Sequence, residues 1–595
     1  MQKAKLRLTR ACLLALLVHT PPLLLAGELS PGLENAVQRA HAGERLAVLI
    51  RLREHGLPLR WEGETLQAFK RRQVEQLQRR AERTQAALKR WLKARGASQF
   101  EQLWAINALA AEVPATLMRE LAERPEVAGV QLNRVRMMSL PTPAIGGPVM
   151  QAELPWNLAK IGADGAWNQG YTGQNVVVAI MDSGVDPKHN ALKEKWRAYN
   201  NKKLRRASWF DAFKKSSKTP KDTDGHGTQV AGLVLGGSPA TPMGVAPGAQ
   251  WIAARIFNDG GTTTDAAILA SFQWLLNPDG KTDTIDDQPD IVNASWGYPF
   301  DPADACGAND AYISESIAAL WSAGIVTVFS AGNDGPDPSA SYPANDPLAF
   351  SVGSVDELDA VGQFSSRGPS SCGTGLFPRI AAPGEGVVTA DMTSNTFPDS
   401  TTTVQGTSFA APHVSGALAV LKSAVSSASP GYLQAALEYS ATDVDVPGAD
   451  YASGYGLIHV GNALAWLQAN NGRPVAQDRD SDGYTLDLDC NDYDSAVHPG
   501  SIETPRDGQD QDCNGYDLTI QPLKAVYSSK NKRLTVEVKS AWRANAALQV
   551  EGFPGMRWVK SAGRWRLLVK NLQEPPDAVT VTGMEGVLTI PVTMR

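Results

Sequence analysis

Long apolar runs are scarce in this chain. Only one exists, Ala11 to Leu25 near the N-terminus, so a polytopic membrane protein is excluded. No fixed-period repeat is visible, which excludes collagen and coiled coil. Charge of one sign is also lacking: 56 basic against 62 acidic side chains leave a net −6, too mild to suggest nucleic acid as a partner. Cysteine is sparse, with five in 595 residues, so a disulfide-dense scaffold is excluded. Aspartate is absent from Gly27 to Ser139, where 19 basic residues face 13 glutamates for a net +6. Residues 140–595 carry 33 basic and 49 acidic residues, a net −16. A basic N-terminal module therefore precedes an acidic body, and complementary surfaces of this kind can attract within one chain. With 43% apolar residues, the length predicts several domains around a sizeable core.

Residues 1–26 read as a secretory signal. Lys3, Lys5, Arg7 and Arg10 form a positive leader before the apolar run, and Pro21 and Pro22 interrupt that run. An uncleaved anchor is the alternative. Cleavage removes Cys12 and leaves Cys306, Cys372, Cys490 and Cys513, an even number in an exported chain. Spacing suggests Cys306 with Cys372 and Cys490 with Cys513, with the connectivity open.

In the N-terminal module (27–139), Arg45–Leu52, Asn107–Val113 and Val127–Leu132 read as strands. Glu64–Arg95 reads as a long charged helix, with Leu66, Phe69, Val74, Leu77, Leu88 and Leu92 at helical spacing, and Pro114–Glu123 as a helix opened by proline. Residues 140–154 form a Pro/Gly-rich linker. From 155 to 470, the apolar runs Val176–Met181, Trp251–Phe257, Asp290–Asn293 and Ile325–Ser330 alternate with helical stretches at Asp265–Asn277, Asp310–Ser322 and Ser408–Ser423. Such alternation predicts an α/β domain, a parallel sheet covered by helices on both faces. Residues 477–517 are rich in Asp, Asn and Gly, and 518–595 carry short alternating runs that predict a small all-β sandwich.

Chemistry concentrates at the ends of the central elements. Asp182 closes the strand Val176–Met181, His226 lies in Asp224-Gly225-His226-Gly227-Thr228 at a helix start, and Ser408 lies in Gly406-Thr407-Ser408 at another. A serine hydroxyl attacks only when a base takes its proton, and the base needs a carboxylate to fix its tautomer. Strand and helix ends let the three meet at the carboxyl edge of a parallel sheet. Asn333, in Ser330-Ala331-Gly332-Asn333-Asp334-Gly335, follows another strand, where its amide can donate to a developing oxyanion together with the backbone N–H at the Ser408 helix start.

The order Asp182, His226, Asn333, Ser408, with these flanking residues, resembles the subtilisin-like serine proteases (subtilases) over about residues 150–470. Leu154–Gly170, Gly244–Ala254 and Asp290–Gly297 are similar to bacillopeptidase F-like members. The resemblance implies a subtilisin-like fold. It also implies Asp182 as orienter, His226 as general base and acid, Ser408 as nucleophile and Asn333 as oxyanion donor. It further implies that Ser295, Trp296 and Gly297 form one wall of the cleft, with an extended strand for substrate backbone. Ser330, Ala331 and Gly332 form the opposite wall. Residues 27–139, best matched over Asn107–Arg134, resemble a propeptide that acts as intramolecular chaperone and inhibitor. Gln229 departs from many relatives, which have a second histidine there, and this implies tuning rather than loss. His189, His413, His459 and His498 read as packing or surface residues. The acidic residues before and after the 295–297 wall (Asp279, Asp283, Asp286, Asp287, Asp290, Asp301, Asp304) read as a solvated loop, ahead of a taste for basic substrates.

In the Asp-rich segment, Asp478, Asp480, Asp482, Tyr484 and Asp489 fall at calcium-loop spacing, with Gly483 at the turn. Asp510, Asp512 and Asn514 form a second half-copy. Hard cations prefer such oxygens, and the segment resembles the Asp-rich metal-binding motifs of secreted bacterial proteins, so calcium is the expected structural ion and no organic cofactor is expected. The expectation is therefore an exported, self-processed serine endopeptidase of bacterial origin, secreted or at the cell surface. It acts on protein or peptide substrates, with its propeptide as internal inhibitor and no membrane span after signal cleavage. Its competitors are a calcium-dependent adhesion protein on the same scaffold and a processing protease of narrow specificity.

Overall fold

In the computed structural model, the described residues are 27–137 (except 59, 62 and 63), 154–298, and 311–470 (except 337, 338, 340, 370–375 and 394–396). Residues 496, 497 and 501 are also described, as are 520–595 except 541–547, 551, 554, 584 and 585. The signal, the linker up to residue 153, all five cysteines and the expected calcium ligands lie outside them.

A seven-stranded, wholly parallel sheet organises the body. Its order is Ile380–Pro383, Phe350–Val355, Val326–Ser330, Ile291–Ala294, Val177–Asp182, Gln250–Arg255, Trp209–Asp211. Val177–Asp182 is buried throughout, as a parallel strand covered on both faces must be. Its alternation feeds two cores. Val178 and Ile180 join the cluster under the helices His226–Leu235 and Thr407–Ala424. Val177, Ala179 and Met181 join the cluster on the other face, under Asp265–Leu276 and Ala311–Ser322. The chain leaves this central strand to build neighbours on either side, so a topological switch point falls at its carboxyl end. Asp182 stands there.

The N-terminal module folds around a five-stranded sheet, ordered Glu28–Leu29, Val127–Leu132, Arg45–Leu52, Ala108–Pro114, Ser98–Leu103. Its long helix spans Leu66–Ala94, capped by Thr65, whose hydroxyl accepts from Ala68 N at 3.2 Å. Two glutamines interrupt the apolar stripe. Gln85 donates to Asn107 Oδ1 at 3.0 Å, and Gln73 reaches out of the module to donate to Ser322 Oγ at 2.7 Å. The module is fused to the body by burial: Leu49, Leu103, Ala105, Ile106, Ala108 and Ala110 belong to the same apolar cluster as Ile268, Phe272 and Ile317. Arg51 pairs with Glu315, and Gln273 accepts from Ala105 N at 3.2 Å.

The C-terminal residues form a five-stranded and a three-stranded sheet around a shared core of Leu534, Val536, Val538, Leu567, Val579, Val581 and Ile590. This is a small all-β unit. Among the described residues no helix is long and apolar enough to cross a membrane.

Candidate active site

Asp182 closes the central strand, buried, and its Oδ1 accepts from His226 Nδ1 at 2.8 Å and from Ser183 N at 2.7 Å. Tight turns make the meeting possible. A side chain on Gly227 would place its Cβ 2.0 Å from Gly184 O, and one on Gly184 would lie 1.9 Å from Lys221 O, so both approaches require glycine. Asp222 ties the turn to the helix, since its Oδ2 accepts from Thr228 N at 2.9 Å and its Oδ1 from Ser183 Oγ at 3.0 Å. That residue escaped the sequence reading, although an aspartate just before a glycine-rich helix start is an N-terminal capping signal.

His226 is almost wholly buried. Burial pulls its pKa down, but the adjacent Asp182 carboxylate and its hydrogen bond, with Asp224 and Asp222 further out, outweigh that and hold it above the ordinary 6.5. The far nitrogen, Nε2, has no hydrogen-bond partner among the described residues. The His226 ring packs at 5.5 Å from the ring of Phe409, the residue after Ser408. In this state Ser408 Oγ donates to Ser295 O at 3.2 Å, and Ser295 Oγ donates back to Ser408 O at 2.7 Å. The serine hydroxyl is thus held by the Ser295 carbonyl, and among the described residues no hydrogen bond joins it to the imidazole.

Asn333 is oriented by Thr407, which precedes Ser408. Thr407 N and Oγ1 each donate to Asn333 Oδ1 at 2.9 Å. With its oxygen so occupied, the amide has Nδ2 left as its donor, and among the described residues no hydrogen bond from it is formed. Thr407 was not singled out in the sequence, because a hydroxyl in that position has no motif of its own.

The segments 295–297 and 330–332 lie together. Ala294 and Phe329 pair in adjacent strands, and both segments abut Ser341, with an added Cβ on Gly297 lying 2.8 Å from Ser341 Oγ and one on Gly332 lying 3.0 Å from Ser341 Cβ. Ser330 ends its strand buried, and Ala331 O accepts from Ser341 Oγ at 2.9 Å. Trp296 differs from expectation in one respect: its ring turns into the core, 5.7 Å from Phe329 and 6.5 Å from Phe272, so only its backbone is left to line a cleft. The strand itself ends at Ala294.

A second extended segment went unread. Val135–Met137 of the N-terminal module pairs antiparallel with Thr262–Thr264, directly before the helix that begins at Asp265. The signal was present as a β-branched triplet after Gly260-Gly261, closed by the Thr264 cap.

The histidines set aside as packing residues are placed as follows. His413 is fully buried, with Asn157 Nδ2 at 2.7 Å from Nε2 and Phe409 O at 2.8 Å from Nδ1. Burial drives it down to about 4, against a smaller opposing effect of that carbonyl. His189 is buried, with Nε2 2.8 Å from Ser400 O. His498 lies outside the described residues. Gln229 Nε2 donates to Asp391 Oδ1 at 3.3 Å. No cluster of three or more His, Cys, Asp or Glu among the described residues could hold a metal ion. Asp478, Asp480, Asp482, Tyr484, Asp489, Asp510, Asp512 and Asn514 fall beyond them, and so do Cys306, Cys372, Cys490 and Cys513.

Comparison with known proteins matches residues 173–456 to the profile described as "Subtilase family", and residues 489–517 to one described as "Putative metal-binding motif". Bacillopeptidase F of Bacillus subtilis (strain 168) is 32% identical over 406 residues, covering 64% of this chain and 27% of that protein. Subtilisin DY of Bacillus licheniformis is 30% identical over 312 residues, covering 52% of this chain and 97% of that protein. An extracellular serine proteinase of Thermus sp. (strain Rt41A) is 30% identical over 341 residues, covering 57% and 72%. The chain therefore spans about a quarter of the first relative and nearly all of the second.

Proposed function

The chain belongs to the subtilase family of subtilisin-like serine endopeptidases, and from that premise we propose that it is an exported zymogen that hydrolyses peptide bonds of proteins through Asp182, His226 and Ser408. The observation that carries this reading is the 2.8 Å bond from buried His226 Nδ1 to Asp182 at the carboxyl edge of the sheet, with Ser408 beginning the helix beside that ring.

In this mechanism Ser408 Oγ turns from Ser295 O to His226 Nε2, which takes its proton as Oγ bonds to the scissile carbonyl carbon. The carbonyl electrons move onto oxygen, where Asn333 Nδ2 and the backbone N–H at the Ser408 helix start hold the charge. His226 returns the proton to the leaving amine, and water then releases the acyl group by the same steps in reverse. Asp182 keeps Nδ1 protonated and stabilises the imidazolium throughout. Cleft walls at 295–297 and 330–332 hold the substrate largely by its main chain, which favours broad specificity.

Residues 27–139 act as the propeptide. The shared apolar cluster and the pairing of Val135–Met137 with Thr262–Thr264 support a domain that covers the body until it is cut away. Calcium is the proposed ion of residues 477–517, held by Asp478, Asp480, Asp482 and Asp489 and stabilising that segment. Its support is the oxygen-rich spacing and the metal-binding profile at 489–517.

The test is labelling with a fluorophosphonate, mapped by mass spectrometry, on wild type and Ser408→Ala. The expected result is modification at Ser408 alone, with the variant unlabelled and residues 27–139 still attached. Normal self-processing of purified Ser408→Ala refutes the assignment.

A further inference from the structure

The segment that crosses the start of the 265–276 helix is held by more than main-chain pairing. Arg134 and Arg136 are two residues apart, so an extended strand turns them to one face, while Val135 and Met137 between and beyond them stay exposed. On that face both guanidinium groups converge on a single carboxylate. Arg134 Nε lies 3.1 Å from Asp265 Oδ2, and Arg136 Nε lies 3.0 Å from Asp265 Oδ1. Arg134 N also donates to Oδ2 at 3.3 Å, and Asp265 N donates back to Arg134 O at 3.1 Å. The ring of Tyr298 lies 3.9 Å below the Arg136 guanidinium, and Asp265 itself is only 3% exposed. Carboxylate, aromatic face and pairing strand all belong to the body, so all three remain when the N-terminal module departs.

We propose that Asp265 and Tyr298 form a guanidinium-binding subsite of the mature enzyme, which selects protein substrates carrying Arg-x-Arg on the amino side of the cleaved bond. The direction follows from the chain itself. Residues 134–136 lie N-terminal to the propeptide junction, so a substrate running the same way along Thr262–Thr264 presents its arginines upstream of the cut. Strand pairing accepts any extended peptide, whereas a buried carboxylate beside an aromatic ring accepts a planar cation and leaves other side chains without a partner. This differs from the acidic residues at 279–290, whose buried member Asp287 accepts from Asp279 N at 2.8 Å, because Asp265 already holds the side chains it would select. The inference rests on the proteolytic and propeptide readings above.

The experiment uses processed wild-type enzyme and internally quenched peptides in which an Arg-x-Arg pair is walked through successive positions upstream of one scissile bond. Lys-x-Lys and Ala-x-Ala peptides are the comparisons. At one register, Arg-x-Arg should exceed Ala-x-Ala in kcat/KM by roughly ten- to a hundredfold, the scale of a charge-assisted hydrogen bond, and mainly through KM. Lysine should recover only part of the gain. Asp265→Asn should bring the Arg/Ala ratio at that register to about one. Equal gains at every register, or equal gains for lysine and arginine, would show general attraction to an acidic body and overturn the subsite. If neutral peptides are cut and Ser408 is labelled but arginine brings no gain, the subsite falls and the protease reading stands. If no peptide is cut, the protease reading falls and takes the subsite with it.

Discussion

Replacing Asn333 separates two jobs proposed for one side chain. Its Oδ1 accepts from Thr407 N and Thr407 Oγ1, both at 2.9 Å, and this anchors the residue before the nucleophile. Its Nδ2 is the proposed oxyanion donor. Asn333→Ala removes both functions. Two neutral hydrogen bonds at about 1 kcal/mol each put the stability loss near 2 kcal/mol, and a lost oxyanion donor costs roughly 10²–10³ in kcat. Asn333→Asp has nearly the same shape, keeps an oxygen for Thr407 and has no donor. It should therefore retain most of the stability while losing at least as much kcat, because a carboxylate facing the developing oxyanion repels it. The assay is chemical denaturation alongside steady-state turnover of one peptide substrate by both variants. If Asn333→Asp turns over near the wild-type rate, the amide is not the donor and the oxyanion reading is refuted. If Asn333→Ala alone loses rate, Asn333 acts only by positioning Thr407.

Three further outcomes are expected. His226 must be neutral to accept a proton, and its pKa is held above 6.5, so kcat/KM should rise with pH through a limb above that value, and Asp224→Asn should move the limb down; a limb at or below 6.5 in wild type contradicts the electrostatic account. His413 has a folded pKa of about 4, below its unfolded 6.5, so the unfolded chain binds more protons between those values. Its contribution to stability is complete above 6.5 and is lost as pH falls towards 4, and denaturation midpoints of His413→Gln should show a flatter dependence across that window. Chelation should expose residues 477–517 to cleavage in limited proteolysis mapped by mass spectrometry, while activity initially persists; equal cutting with and without chelator means that the segment is an acidic linker.

Much of the architecture was legible because local pattern and tertiary demand agree. Val177–Asp182 reads as a buried strand from its β-branched run, and burial on both faces is what the sheet imposes on it. Leu534–Val538 was equally plain, since Leu534, Val536 and Val538 alternate into the core of the C-terminal unit. Other elements depend on partners that no local window contains. Ser98–Leu103 is largely polar, and its extended form is set by pairing with Ala108–Pro114. The Pro31–Arg39 helix was passed over despite the Ser30 cap, Pro31 and Glu34 at its start, because the nine-residue segment buries only Leu33. At the site, the motif-bearing residues could be named but their supports could not. Thr407 meets Asn333 across 74 residues and Asp222 meets Ser183 across 39, so no local window pairs them. Asp265 looks like any first-turn acid until Arg134 and Arg136 are set against it.

The parallel sheet also fixes when the enzyme can become dangerous. An interior strand, Val177–Asp182, takes neighbours from Gln250–Arg255 and Ile291–Ala294, and the helix that carries Ser408 packs across Val177–Asp182, Ile291–Ala294, Val326–Ser330, Phe350–Val355 and Ile380–Pro383. Each of these closures spans a long loop of unfolded chain, which makes assembly slow. The N-terminal module, by contrast, completes its sheet within residues 28–132, with its middle strand Arg45–Leu52 in antiparallel ladders on both sides. Order is thus built into the topology: during synthesis the module's residues emerge before Ser408 is made, and the sheet edge that carries Asp182, His226 and Ser408 is assembled last.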